Sequence, residues 1–158
     1  MKNNVDREEL YTTVEIEGKG TFRIKKFTAK EGLKMARMLI AKAAPLIPVL
    51  DSLDDNTSFM DDPAVFETIG KVLDSLDDKD LDMLTDRCLR VCSKLMPAGP
   101  QEVIDEYGNY GVEEVEYDFG LTLRLIVEAV KWGASDFFGE KGSGLKSLMG
   151  RIGKQRNQ

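Results

Sequence analysis

Two alternating segments near the N-terminus constrain the fold more than any other feature of the chain. YTTVEI (residues 11–16) and TFRIKKF (residues 21–27) alternate apolar with polar residues and are rich in β-branched and aromatic side chains, which is the pattern of half-buried strands. Only EGKG (residues 17–20) separates them, and a connection of that length suits an antiparallel hairpin. The rest of the chain must therefore pack against a hairpin.

Helix signals follow the hairpin directly. Thr28 begins T-A-K-E, a capping box in which the Thr28 hydroxyl accepts the Glu31 amide and the Glu31 side chain returns to the Thr28 amide. The positions that continue this helix at helical spacing are Leu33, Ala36, Arg37, Leu39 and Ile40. Pro45 and Pro48 then remove backbone donors and break or kink the helix.

Two amphipathic helices are predicted in the middle of the chain. Asp62 and Pro63 give the first an N-cap acid followed by proline at the first helical position. Its apolar stripe consists of Val65, Phe66, Ile69, Val72, Leu73 and Leu76. Residues 77–80 cap the second, which we expect to end before Pro97 and Gly99. Its inward-facing positions are Leu81, Leu84, Cys88, Leu89, Val91, Cys92 and Leu95.

The last third of the chain contains an acidic, turn-rich stretch and an apolar helix. Residues 100–117 are compatible with either a short hairpin or a loop, and the sequence leaves that choice open. Asp118 precedes a mainly apolar helix from about residue 120 to residue 134, which we expect to be the central one. Trp132 falls on the core stripe of that helix.

These elements predict an α+β, mainly helical fold: an N-terminal β-hairpin followed by about four helices and a flexible basic C-terminal tail. Residues 1–140 are expected to form a single compact domain, a size that 158 residues with 42% apolar content can support. Residues 141–158 are the predicted tail. The predicted core contains Val65, Phe66, Ile69, Leu73, Leu84, Leu89, Leu125, Ile126 and Ala129.

The chemistry that the chain carries argues against catalysis. There is no histidine, so the side chain that most readily exchanges a proton near neutral pH is missing. Cys88 and Cys92 lie four residues apart in a predicted helix and read as buried thiols. GEKGSGLKS (residues 139–147) fails the phosphate-loop pattern, and DSLDDN (residues 51–56) fails the EF-hand pattern. We therefore predict no catalytic residues, no cofactor and no metal site.

Charge is segregated along the chain although the net charge is −6. Residues 19–42 and 141–158 are basic, whereas residues 51–82 and 102–118 are acidic. Such blocks orient association with partners. Lys25 and Lys26 stand among aromatic residues on a predicted strand, which keeps a nucleic-acid-binding alternative open, but the overall acidity and the lack of a reader motif argue against it. No apolar run is long enough to span a membrane, so a soluble protein is expected.

Phe137 and Phe138 lie past the end of the last predicted helix. Adjacent residues in an extended or turning segment point to different sides, so we expect at least one ring to be exposed and to bind a partner or a second copy. The alternative, in which both rings fold onto the hairpin as a clasp, remains open. The candidate partner-binding residues are Phe137, Phe138, Lys25 and Lys26.

The order of elements resembles a known family. FRIKKFTAKEGLKM (residues 22–35), an acid-rich helical middle, LIVEAVKWGASDFFG (residues 125–139) and a short basic tail are similar to the tail assembly chaperones of long-tailed bacteriophages. The resemblance implies a non-enzymatic factor that binds the tape measure protein, keeps it soluble and helps to recruit tail tube protein.

The resemblance further implies that the protein acts in the host cell cytoplasm and is absent from the mature virion. The sequence leaves the oligomeric state open, with a homo-oligomer as one of the options. A permanent structural component of the phage tail and a small nucleic-acid-binding protein are the alternative readings of the same sequence. A permanent component would be recovered with purified particles, because it would bury its apolar surface in a large obligate interface.

Overall fold

The computed structural model describes residues 10–44 and 61–133 and shows an α+β fold. The strands are β1 (Tyr11–Ile16), β2 (Gly20–Lys25), β3 (Cys92–Met96) and β4 (Gly99–Glu102). The helices are α1 (Ala29–Lys42), α2 (Pro63–Ser75), α3 (Asp78–Arg90), α4 (Glu113–Tyr117) and α5 (Phe119–Gly133). Within the described residues, three helices lie between β2 and β3 in the sequence.

The four strands form one antiparallel sheet in the order β1-β2-β3-β4. β1 pairs with β2 from Tyr11 opposite Lys25 to Ile16 opposite Gly20. The turn between them uses positive φ angles at Gly18 and Gly20 (74° and 102°), which glycine adopts without steric cost. The two N-terminal strands are not a separate hairpin, because β2 also pairs with β3.

The predicted extent of the third helix is wrong. α3 ends at Arg90, and the segment from Cys92 to Met96 is β3, which pairs with β2 through Ile24 and Cys92. Spacing alone cannot separate a short apolar strand from a helix end. The segment becomes a strand because it forms hydrogen bonds with the open edge of β2. Gly99, at φ 123°, then turns the chain into β4.

The acidic stretch at residues 100–117, which the sequence left open, contains several small elements. After β4, Ile104 and Tyr110 form an isolated bridge around a turn. The Asp105 carboxylate accepts the amides of Tyr107 and Asn109 at 2.8 and 2.9 Å. The hydrogen bond from Asn109 is the main cause that lowers the pKa of Asp105. The short helix α4 follows and leads into α5.

Helix starts agree with the local capping signals. Thr28 Oγ1 accepts the Glu31 amide at 3.3 Å, Asp62 Oδ1 accepts the Ala64 amide at 2.9 Å, and Asp77 Oδ1 accepts the Asp80 amide at 2.7 Å. These predicted starts are confirmed. The Glu31 carboxylate forms an ion pair with Arg87 of α3, so the capping box carries a tertiary contact that the sequence did not indicate.

The core lies between the inner face of the sheet and the helices. Phe22 and Ile24 of β2 are fully buried, and α5 packs against β2 and α3. The other side chains with almost no exposed surface are Met35, Leu89, Leu125, Val103, Val115, Cys88 and Cys92. Cys92 Sγ donates to the Cys88 carbonyl at 3.3 Å, and both thiols are free and buried. They therefore share the core, although Cys92 lies in a strand.

The predicted core is mostly correct, with one exception. The predicted positions that are buried are Val65, Ile69, Leu84, Leu89, Leu125 and Ala129, while Leu73 and Ile126 are half-buried against them. Phe66 was expected in the core but is 48% exposed. α2 buries Val65, Ile69 and Val72, and a residue one position after Val65 stands about 100° further round the helix. Phe66 therefore lies at the side of the buried stripe.

Several predictions fall outside the described residues. These concern Pro45 and Pro48, Phe137 and Phe138, the domain boundary at residue 140 and the basic tail at residues 141–158. They stay predictions. No helix within residues 10–44 and 61–133 combines the length and apolar content that a membrane span requires.

Candidate partner-binding groove

Lys25 and Lys26 line an open groove of about 600 Å³ at one end of the sheet. Every strand contributes to one wall, through Tyr11, Arg23, Lys25, Ser93 and Glu102. The other wall belongs mainly to α3, through Met83, Asp86, Arg87 and Arg90. We call this surface the sheet–α3 groove. Its size is that of a small-molecule pocket, but such pockets are predominantly apolar, and this one is lined mostly by charged side chains.

Strand alternation places the cations of β2 in the groove. Phe22 and Ile24 point into the core, and successive side chains of a strand point to opposite faces. Arg23 and Lys25 must therefore point to the outer face. The register then places Tyr11 beside Lys25 and Ser93 beside Arg23. Alternation in the sequence, which predicted the strand, also predicts this polar face.

The groove has an excess of positive charge. Its lining includes the bases Arg23, Lys25, Lys26, Arg87 and Arg90 and the acids Glu31, Asp86 and Glu102. On the helical wall the charges are paired, because Arg87 contacts Glu31 and Arg90 Nε lies 3.0 Å from Asp86. The excess of positive charge therefore lies on the wall formed by the sheet, where it would attract an acidic side chain of a partner.

Aromatic rings hold two of these cations in position. The Arg23 guanidinium lies 4.3 Å from the centre of the Tyr11 ring, and Lys26 Nζ lies 4.8 Å from the centre of the Trp132 ring. Cation–π contacts of this kind contribute about 0.5–1 kcal/mol at exposed sites. These contacts hold the two side chains at the groove.

Trp132 connects the end of α5 to the start of β1. The side chain is half-buried against the core, and its Nε1 donates to the Leu10 carbonyl at 3.3 Å. The expectation that Trp132 lies on the core stripe is thus correct, with one polar edge directed to the backbone. At Gly133, an added Cβ would lie 2.3 Å from Phe27 Cδ2. Glycine therefore lets the Phe27 ring, which lines the groove, pack on the end of α5.

The described residues contain no group of three or more potential metal ligands. Burial raises the pKa of the Cys92 thiol to about 12 and the pKa of the Cys88 thiol well above its usual value. Both are therefore protonated at neutral pH, and a protonated thiol is a poor nucleophile.

Sequence reasoning placed Lys25 and Lys26 on a partner-binding surface but missed the rest of the groove. The wall that the sequence did not predict is formed by Asp86, Arg87 and Arg90 of α3. Its signal was present only as three charged residues outside the buried stripe of Leu84, Cys88 and Leu89 on α3. The structure does not describe Phe137 and Phe138, so their role in binding stays a prediction.

An α+β domain with an open, charged groove has the features of a binding module. The family profile of phage tail assembly chaperone proteins matches residues 18–146. The chain belongs to this family, which confirms the resemblance seen in the sequence. Searches of curated proteins and of solved structures returned no match.

Proposed function

We propose that this protein is a non-enzymatic tail assembly chaperone that binds the tape measure protein, keeps it soluble and helps to recruit tail tube subunits. It acts in the host cell cytoplasm and is left out of the mature virion. The observation that carries the proposal is the family match over residues 18–146. The family supplies the role in tail assembly, while the identity of the partners is our proposal.

The sheet–α3 groove supports binding of an amphipathic segment with acidic side chains. Arg23, Lys25 and Lys26 attract the acids, and the apolar atoms of Phe27, Met83 and Val91 in the lining are available to the apolar face of the segment. Surface ion pairs contribute only about 0–1 kcal/mol each. A client held in this way dissociates readily, as an assembly factor requires. The net charge of −6 favours solubility of the complex.

Co-expression with the tape measure protein tests the proposal. The soluble fraction of the tape measure protein, measured after ultracentrifugation, should rise strongly when the chaperone is present. The variant Lys25→Glu/Lys26→Glu should lose most of that effect. The matched control is Lys79→Glu, which reverses an exposed cation on α3 that does not line the groove, and it should behave as the parent protein.

The outcomes separate the function from the site. A parent protein that leaves the tape measure protein insoluble contradicts the chaperone role itself. If the parent protein works and the Lys25/Lys26 variant works equally well, the chaperone role survives and the groove is not the client site. A variant that binds poorly because it is misfolded is recognised by its thermal melt and circular dichroism spectrum.

Particle composition tests the localisation. Mass spectrometry of purified virions should detect tail tube protein and tape measure protein but not this chain. Detection of the chain in a fixed ratio to the tail tube protein would instead identify a permanent structural component, which is the main alternative.

A further inference from the structure

α1 and α2 each expose large apolar side chains on the side away from the core. On α1, Leu33 is 70% exposed and Ile40 is 45% exposed. These two residues are seven positions apart, so they lie on one stripe, two turns from each other. On α2, Phe66 is 48% exposed. Single exposed apolar residues are ordinary, but a stripe on one helix and a ring on the neighbouring helix suggest a contact.

The outer face of α1 is basic. It consists of Lys30, Leu33, Lys34, Arg37 and Ile40, all of them exposed. Within the part of the chain that the structure describes, Lys30, Lys34 and Arg37 make no ion pair. Lys42 on the same helix, by contrast, pairs with Asp80. The α1 outer face therefore presents three cations around two aliphatic side chains, and none of the three pairs with an acid of the described residues.

The outer face of α2 is acidic. It consists of Phe66, Glu67, Gly70 and Asp74, with Asp61 and Asp62 exposed where the helix begins. Lys71 pairs with Glu67 at 3.4 Å, so the acids stay in excess. A Cβ added at Gly70 would meet no atom within 4 Å. Gly70, one turn from Phe66, therefore presents no side chain on this face, so another helix can approach the backbone there closely.

The two faces belong to neighbouring helices of one molecule. Ser75 Oγ of α2 donates to the Lys42 carbonyl of α1 at 3.2 Å. The buried sides of both helices also line one apolar cavity of about 40 Å³, with Met38 and Leu39 on one side and Val72 on the other. Because the inner sides of both helices face this cavity, the outer faces are directed to solvent and do not face each other within one molecule.

We propose that the α1 outer face of one copy docks against the α2 outer face of a second copy of this chain. Leu33 and Ile40 then contact Phe66 and the bare backbone at Gly70, while Lys34 and Arg37 approach Glu67 and Asp74. Docking of α1 on a second α1 would oppose like charges, which costs several kcal/mol in interfaces. The contact joins two different faces. A two-fold dimer therefore contains it twice, and a head-to-tail assembly contains it once between each pair of successive copies.

Charge reversal on the two faces tests the contact without any client protein. Light scattering after size exclusion, at low salt, should give the parent protein a mass of at least twice the 17.7 kDa monomer. Lys34→Glu/Arg37→Glu on α1 should weaken association about tenfold or more, and Glu67→Lys/Asp74→Lys on α2 should do the same. Lys79→Glu is the control and should leave the mass unchanged.

The decisive sample is an equimolar mixture of the two double variants. Each variant alone carries like charges on both faces, but in the mixture every unlike pair is restored, so the mass of the parent protein should return. A mixture that stays monomeric overturns the proposal. A parent protein that stays monomeric up to the highest concentration at which it is soluble overturns it as well. A monomeric parent whose α1 variant fails to keep tape measure protein soluble assigns the α1 face to the client instead.

An uncharged double variant controls for misfolding. Leu33→Ser/Ile40→Ser removes the apolar stripe from α1 without reversing charge, and these side chains contribute little to the core because they are exposed. The variant should melt close to the parent temperature and still lose association. An unchanged mass would show that the α1 outer face is not the contact.

Discussion

Two phenylalanines at different depths allow a matched test of the fold. Phe22 on β2 is 0% exposed, whereas Phe66 on α2 is 48% exposed. Replacement of each by alanine removes the same atoms, so any difference in the free energy of unfolding reports burial. Phe22→Ala deletes a fully packed ring and should cost about 3–5 kcal/mol, including the cavity it leaves.

The expected cost at Phe66 follows from its exposed fraction. Full burial of a phenylalanine side chain contributes about 1.5–3 kcal/mol. Roughly half of Phe66 is already in water, so Phe66→Ala should cost only about 1 kcal/mol. The substitution also places alanine, the best helix former, in α2, which offsets part of that loss.

Urea denaturation followed by circular dichroism measures both values. With a slope of about 1–3 kcal/mol per molar urea, the Phe22→Ala midpoint should fall by roughly 2 M and the Phe66→Ala midpoint by about 0.5 M. The protein should be dilute, so that self-association does not add to the stability of the parent. Equal losses at the two positions, to within 1 kcal/mol, would refute the assignment of α2 orientation and of the β2 inner face.

Three further predictions concern thiols, a carboxylate and a turn. Because burial raises the pKa of Cys88 and Cys92, a thiol reagent at pH 8 should label neither in the native protein and both in urea. The pKa of Asp118 is lowered by the Leu121 amide and by Lys19, so its contribution is full above about pH 4 and is lost as the pH falls through the folded pKa. The melting temperatures of the parent and of Asp118→Asn should therefore converge in acid. Gly99→Ala places a side chain at φ 123° and should cost about 1–3 kcal/mol in urea denaturation.

Helix starts could be predicted from the sequence because their chemistry is local. Thr28, Asp62 and Asp77 each accept an amide two or three residues ahead, so a window of four residues contains the full signal. The strand alternation around Phe22 is local in the same sense. It placed Lys25 on the outer face, on the same wall of the groove as Arg23.

The remaining features depend on contacts between distant parts of the chain. The segment from Cys92 to Met96 continues the spacing of α3, and only the free edge of β2 makes it a strand. Phe66 and Leu33 have helical spacing, but the rotation of each helix about its own axis is set by what it packs against. The α3 wall of the groove was missed for this reason, since Arg87 points there through its pair with Glu31.

The long, helix-containing insertion between β2 and β3 also affects synthesis on the ribosome. β1 and β2 can pair as soon as both have emerged, but the other edge of β2 waits until Cys92 is made. At about 5–20 residues per second, translation of residues 26–91 takes on the order of 3–13 s. An unpaired strand edge is a template for aggregation, and charged residues on it reduce that risk. We therefore expect Arg23 and Lys25 to lower the risk of aggregation of the nascent chain during this interval.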